Sequence, residues 1–239
     1  MKGLIVVGIL CWHITHVVGI VVCMKRNTFV TLSTLTALLG SIVLGISFGI
    51  NPGPDSHATS EQLAVFAHQH FSAVVWGGWL QLMGSLLLVI FAFAIVQLAG
   101  ATPKLSGILT ILGGTLLMVV NASEVTFYMS ALFSRPDTAG LLSLDFIHAV
   151  QHLYFVLAAP LLFAPLGIVV LTSRVLPRIL GYMALCFAAA FALVGAFSFP
   201  SLELSAPIQI FGSIQIIWWI SAAVVLLVWG RKESGNLSY

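Results

Sequence analysis

An aspartate and two histidines lie in the stretch SLDFIHAVQHLYF (residues 143–155), where the chain is otherwise apolar. Asp145, His148 and His152 are spaced i, i+3 and i+7, so a helix would present all three on one face. Two histidines four residues apart can bind one metal ion together. Asp145 would then act as a third ligand or would fix the tautomer of an imidazole. The alternatives are an interfacial helix start, with Asp145 near the helix N-terminus, and proton transfer.

A second pair of histidines, His68 and His70, lies in a long apolar segment further upstream. Residues two apart point to nearly opposite faces of a regular helix, so both cannot bind the same ion. His70 shares its face with Gly77 and Gln81, which are typical of helix packing. We therefore expect His70, rather than His68, to face the other helices.

Glu124 is the acid that we most expect to take part in chemistry. It lies in an apolar segment at helical spacing from Asn121 and Tyr128. A buried carboxyl group at this position would suit a general acid or base, with Asp145 as the second catalytic candidate. The alternative is a carboxylate that reaches the outer interface of a membrane.

His13 and His16 lie one helical turn apart in CWHITHVV, near the middle of the first apolar segment. Imidazoles at that depth are unfavourable against lipid. They are candidates for binding a cofactor, and interhelical hydrogen bonds would explain them as well.

The composition indicates which elements must position these residues. Of the 239 residues, 60% are hydrophobic and 7% are charged, and the mean hydropathy is +1.12. A soluble domain carries about 25% charged residues, so this composition predicts an all-α integral membrane protein. The net charge of +2 forms no basic stripe, which argues against nucleic acid as a partner. The three cysteines lie in apolar runs without a CxxC pair, which argues against a disulfide framework and a zinc finger.

Hydropathy predicts one domain, residues 1–239, built as a bundle of seven transmembrane helices. A span needs about 20 apolar residues, and breaks such as NPGP at residues 51–54 separate the segments because proline and glycine end helices. TSEQ at residues 59–62 predicts a capping box at the start of the third helix. The predicted helices cover about residues 3–23, 29–50, 62–98, 104–130, 144–172, 177–198 and 207–230.

The basic residues predict the orientation, because cytoplasmic loops are enriched in lysine and arginine. With the N-terminus outside and the C-terminus cytoplasmic, only Lys2 and Arg135 fall on the outer side. The cytoplasmic side then holds Lys25, Arg26, Lys104, Arg174, Arg178, Arg231 and Lys232. In this orientation most of the histidines and acids named above lie towards the extracytoplasmic side.

The stretch SRVLPRILGYMALCFAAAFALVGAF (residues 173–197) resembles the closing helices of bacterial multi-pass membrane proteins of unknown function, in which a Leu-Pro-Arg-x-Leu-Gly turn opens the penultimate helix. The resemblance covers the last four helices and implies the bacterial inner membrane as the location. A looser similarity links HAVQH (residues 148–152) to seven-helix intramembrane zinc hydrolases, which carry an HxxxH motif in a late helix. In this chain the motif falls in the fifth predicted helix.

Several functions are excluded by missing motifs. Covalent retinal needs a lysine within a helix, and the last segment contains none. No Walker, Rossmann or GxSxG motif occurs in the chain, so nucleotide-driven work and α/β-hydrolase chemistry have no support.

Three hypotheses remain open. The first is a metal-dependent membrane protein, a hydrolase or oxidoreductase if it is an enzyme, acting on a small or lipid-like ligand through zinc, copper or iron. The second is a b-type haem protein in electron transfer. The third is a non-catalytic binding protein or subunit of a membrane complex, in which the polar residues tie helices together or pass protons. The predicted metal ligands are His148 and His152 with His68 or His70, assisted by Asp145 and Glu124.

Overall fold

The computed structural model describes residues 26–51, 59–133, 138–198 and 205–235, and these residues form helices without a β-strand. The bounds of the elements are α1 Arg26–Ile50, α2 Ser60–Leu98, α3 Leu105–Phe133, α4 Thr138–Leu153, a π-helical turn Tyr154–Ala158, α5 Ala159–Thr172, α6 Arg178–Ser198 and α7 Ser205–Gly235. The segment from α4 to α5 is one continuous helix interrupted by the π turn.

Among the described residues, six helical segments are long and apolar enough to cross a membrane. They are Arg26–Ile50, Glu61–Leu98, Leu105–Phe133, Leu142–Thr172, Arg178–Ser198 and Ile210–Trp229. Six of the seven predicted segments are therefore confirmed as helices. The first, residues 3–23 with His13 and His16, lies outside the described residues.

The predicted capping box at the start of α2 is confirmed. The Thr59 hydroxyl accepts a hydrogen bond from the Gln62 backbone N–H at 3.3 Å, and the Gln62 side-chain oxygen accepts one from the Thr59 N–H at 2.9 Å. The two bonds satisfy N–H groups that have no partner within the helix. Thr59 thus fixes where α2 begins.

The helices pack around a core that is rich in aromatic side chains. Helix α1 packs against α2 and α7, α3 packs against α2 and α5, and α5 packs against α6. The Trp218 indole N–H of α7 donates to the Leu180 carbonyl of α6 at 3.0 Å, which joins the last two helices. Phe163 lies within 6 Å of the rings of Phe191 and Trp218 and is fully buried.

Close helix crossings depend on glycine at a few positions. A Cβ atom on Gly84 of α2 would lie 2.8 Å from the Leu44 backbone nitrogen of α1, so the two backbones are nearly in contact. A Cβ atom on Gly113 of α3 would overlap the Leu161 carbonyl of α5. Pro165 lies four residues after Leu161 and has no N–H, so that carbonyl lacks its usual helical partner. Gly113 lets α3 approach α5 at this point.

The π turn lies where α6 comes close. The Ala159 N–H bonds to the Tyr154 carbonyl, five residues back, instead of the usual four. A Cβ atom on Gly195 of α6 would lie 2.9 Å from the Val156 backbone nitrogen in this turn. Such turns insert one extra residue into a helix and often occur at functional sites.

Helix α2 is longer than the helix it packs against. Asn51, just past the end of α1, lies level with Gly77, since a Cβ atom on Gly77 would be 2.7 Å from the Asn51 Cβ. The 39-residue α2 therefore runs about 25 Å beyond the end of α1, at about 1.5 Å per residue. We call residues 60–76, 125–133 and 138–148 the three-helix extension. A small apolar cluster, separate from the main core, fills it with Leu63, Val74, Tyr128, Leu144 and Ile147.

The successive helices run antiparallel, which places basic residues at one end of the bundle. We call this end, where α2 ends and α3 begins, the basic end. In the described part of the chain it carries Arg26, Lys104, Arg174, Arg178, Arg231 and Lys232. The three-helix extension lies at the opposite end.

Candidate functional site

The buried carboxyl group of Glu124 is held between three helices. Its Oε2 atom accepts a hydrogen bond from the side-chain amide of Gln81 of α2 at 2.7 Å. Its Oε1 atom accepts one from the amide of Gln151 of α4 at 2.8 Å. Each oxygen therefore has a donor from a different neighbouring helix. The carboxyl group is enclosed between helices, as one of the two interpretations expected, although the Glu124 residue as a whole is half-buried.

Further polar pairs surround Glu124. The Asn121 amide donates to the Ser85 hydroxyl at 2.7 Å, one turn from Glu124 along α3. In the π turn the Tyr154 hydroxyl donates to the Gln215 side-chain oxygen of α7 at 2.8 Å. Tyr128 is buried beside Glu124 and Gln151. We call Gln81, Ser85, Asn121, Glu124, Gln151, Tyr154 and Gln215 the polar layer.

Helical spacing explains why these side chains meet. Asn121 and Glu124 lie three residues apart on α3, and Gln81 and Ser85 lie four apart on α2, so each pair shares a helix face. Both pairs face the interface of α2 and α3, which is close because Gly78 has no side chain. A Cβ atom there would lie 3.0 Å from the Val125 side chain. The short separation lets an amide on one helix reach a carboxylate on the other.

The polar layer lies between two apolar regions. On α2, Leu63 and Val74 belong to the extension and Leu88 belongs to the main core, with Gln81 and Ser85 between them. Exposed Trp76 and Trp79 lie on α2 just before the layer, as expected for a membrane interface. Leu98 lies about 26 Å from Gln81, at about 1.5 Å per residue. This distance is close to the thickness of a hydrocarbon core, about 30 Å.

The electrostatic environment of Glu124 is unusual for a buried acid. Helices α2 and α3 and the segment from α4 to α5 contain no lysine or arginine. The neighbouring groups are neutral amides and hydroxyls, which can stabilise a carboxylate by hydrogen bonds. A carboxyl group with such partners can hold or release a proton, or accept hydrogen bonds from a polar ligand.

The histidines and Asp145 do not converge as expected. His152 is buried, His148 and His70 are half-buried, and His68 and Asp145 are exposed. The stripe of His70 does face the other helices, as expected, since Gly77 and Gln81 are buried. The His70 ring packs against Phe66 with 4.9 Å between ring centroids.

Within the described ranges, no group of three or more His, Cys, Asp or Glu side chains could hold a metal ion. The expected joining of His68 or His70 to His148 and His152 is therefore not found there. The physical reason is the helix face that each residue occupies. His68 and Asp145 are exposed on α2 and α4, whereas His70, His148 and His152 are half-buried or buried.

The partners of Glu124 were not predicted from the sequence. Gln81 was expected to pack between helices, but its bond to Glu124 was not foreseen, and Gln151, Tyr154 and Gln215 were not singled out. The available signal was a polar stripe on each of α2 and α4, with Gln81 and Ser85 on one and Gln151 and Tyr154 on the other. Only the order of the helices in the bundle shows that both stripes face α3.

The fold and the polar layer define an all-helical integral membrane protein with an acid buried between its helices. Comparison with known protein families, curated proteins and solved structures finds no match to this chain.

Proposed function

We propose that this chain is a non-catalytic membrane protein, either a binding protein or a subunit of a membrane complex. The polar layer joins its helices and holds Glu124 as a group that takes up and releases a proton. The observation that carries this proposal is the bonding of both Glu124 oxygens to amides from two other helices, at 2.7 and 2.8 Å. An ionisable group at this depth is expensive, and its presence favours a functional role.

The orientation is part of the same proposal. The basic end faces the cytoplasm, because lysine and arginine are retained on that side. The three-helix extension and the Glu124 side of the polar layer then face the extracytoplasmic side. The bacterial inner membrane is the location implied by the resemblance of residues 173–197.

The metal-dependent and haem hypotheses predict a different outcome from the structural role. The metal-dependent hypothesis requires His148 as a ligand, so that replacing it removes zinc, copper or iron, and the haem hypothesis requires a Soret band in the wild-type protein. The described residues support these hypotheses less well, because the other expected ligands lie apart.

One set of variants tests the proposal. We expect Glu124→Ala to lower the free energy of unfolding in detergent by about 2–6 kcal/mol, because two amides lose their acceptor at about 1–3 kcal/mol each. We expect His148→Ala to have the metal content and the visible spectrum of the wild type. Elemental analysis, an absorption scan and thermal unfolding measure these quantities.

Two results would contradict the proposal. A metal or a Soret band that is present at one equivalent in the wild type and lost in His148→Ala would restore the metal or haem hypothesis. An unchanged stability of Glu124→Ala would show that the polar layer does not hold the helices together.

A further inference from the structure

A pocket opens at the basic end, far from the polar layer. Its charged residues are Arg26 at the start of α1 and Arg174 just after α5, and Trp229 of α7 lies on its edge. Its apolar wall includes Val30, Leu98 and Leu226. The pocket thus joins residues from four different parts of the chain, all at one end of the bundle.

The position of the pocket matches the headgroup level of a membrane. Arg26 lies at the start of α1, Leu98 at the end of α2 and Trp229 near the end of α7, so all three lie at the same end of the bundle. Trp229 is 48% exposed, and tryptophan is enriched at the membrane–water interface. A lipid phosphate in the adjoining leaflet would lie at the level of the two arginines.

The chemistry of the lining favours a particular ligand. Arginine binds phosphate oxygens with a planar set of donors, and among the described residues that line the pocket none is acidic. Val30 and Leu226 are buried beneath the charged rim, whereas Leu98 is half-buried and Trp229 is exposed, so the last two offer apolar surface beside the arginines. A cationic rim beside an apolar wall matches the phosphate group and the acyl chain of a phospholipid, whereas free phosphate would contact only the rim.

We propose that the rim of this small pocket binds the headgroup of an anionic phospholipid, with Arg26 and Arg174 contacting the phosphate and the exposed surfaces of Leu98 and Trp229 contacting the first part of the acyl chain. Basic pockets between transmembrane helices on the cytoplasmic side are suited to such headgroups. The site is independent of the proton-binding role of Glu124.

Native mass spectrometry of the full chain in detergent tests the proposal, with phosphatidylglycerol and phosphatidylcholine as probes. We expect the wild type to retain phosphatidylglycerol in preference to phosphatidylcholine. We expect each of Arg26→Gln and Arg174→Gln to weaken phosphatidylglycerol binding about fivefold, and the double variant to weaken it about 25-fold. The reason is that each basic residue near a membrane surface adds to the binding free energy. Arg178→Gln is the matched control, since Arg178 is exposed at the same end and does not line the pocket.

Equal binding of phosphatidylglycerol by the wild type and the double variant would overturn the proposal. So would binding of inorganic phosphate at these arginines without binding of phosphatidylglycerol. If the double variant does not fold, the thermal shift of the wild type decides. We expect phosphatidylglycerol to raise Tm more than phosphatidylcholine does, and an equal shift with both lipids would refute the site.

Discussion

Glu124 shows how a single polar side chain can organise a membrane bundle. Its two oxygens bond to Gln81 and Gln151 on separate helices, so one acid joins three helices. A hydrogen bond to a charged group contributes about 1.5–3 kcal/mol, whereas neutral bonds between membrane helices average about 0.6 kcal/mol. With two such bonds, the ionised form of Glu124 contributes more to stability than the single Asn121–Ser85 bond does.

Replacing one donor to Glu124 tests this account. We expect Gln81→Ala to lower the free energy of unfolding by about 1–2 kcal/mol, because the buried Oε2 atom loses its donor. Gln69→Ala is the control, as Gln69 is an exposed glutamine on the same helix and its loss should change stability by less than about 0.5 kcal/mol. Thermal unfolding in detergent measures both. Equal effects of the two changes would show that the Gln81–Glu124 bond adds nothing.

The helices themselves were predictable and their contacts were not. Long apolar runs identify α1 to α7 within a few residues, and Thr59 fixed the start of α2 through its capping box. The sequence does not reveal the π turn at residues 154–158, because it depends on the approach of Gly195 of α6. The partners of Glu124 could not be predicted from the sequence either, because they lie on other helices and packing sets the order of the helices in the bundle.

The glycine crossings give a prediction for α1 and α2. We expect Gly84→Ala to destabilise the protein by about 1–3 kcal/mol, because the new methyl group would meet the Leu44 backbone, which cannot move aside. Gly49→Ala in α1 has open space around it and should be neutral or stabilising by up to about 1 kcal/mol, since alanine favours a helix. Thermal unfolding distinguishes the two. A stable Gly84→Ala variant would mean that α1 and α2 are not in close contact in the membrane.

The bundle as a unit has one charged end and one polar extension. The sequence predicted this asymmetry from its basic residues, while the extension follows from the 39-residue length of α2. The sequence placed His68, His70 and His148 towards the outer ends of their helices, but the predicted spans gave no measure of how far α2 and α4 project beyond α1. The Asn51–Gly77 contact supplies that measure.

Cysteine labelling in intact cells tests the orientation. We expect Glu61→Cys, exposed at the start of α2, to react with a membrane-impermeant maleimide added outside the cells. Thr102→Cys, exposed in the turn before α3, should react only after the membrane is opened. Both variants are made in a background without Cys11, Cys23 and Cys186, so that the labelling reports one position. The reverse pattern would invert the bundle.

The polar layer also limits how the helices can slide along one another. A shift of α3 by one turn, about 5.4 Å, would carry Glu124 away from both amides, to the level of Ser85 in one direction and of Gly77 in the other. Only one vertical register therefore satisfies the carboxylate, in the way that a single buried asparagine selects the alignment of a coiled coil. Glu124 therefore fixes the position of three helices relative to one another along the bundle axis, whereas their apolar surfaces alone would permit several alignments.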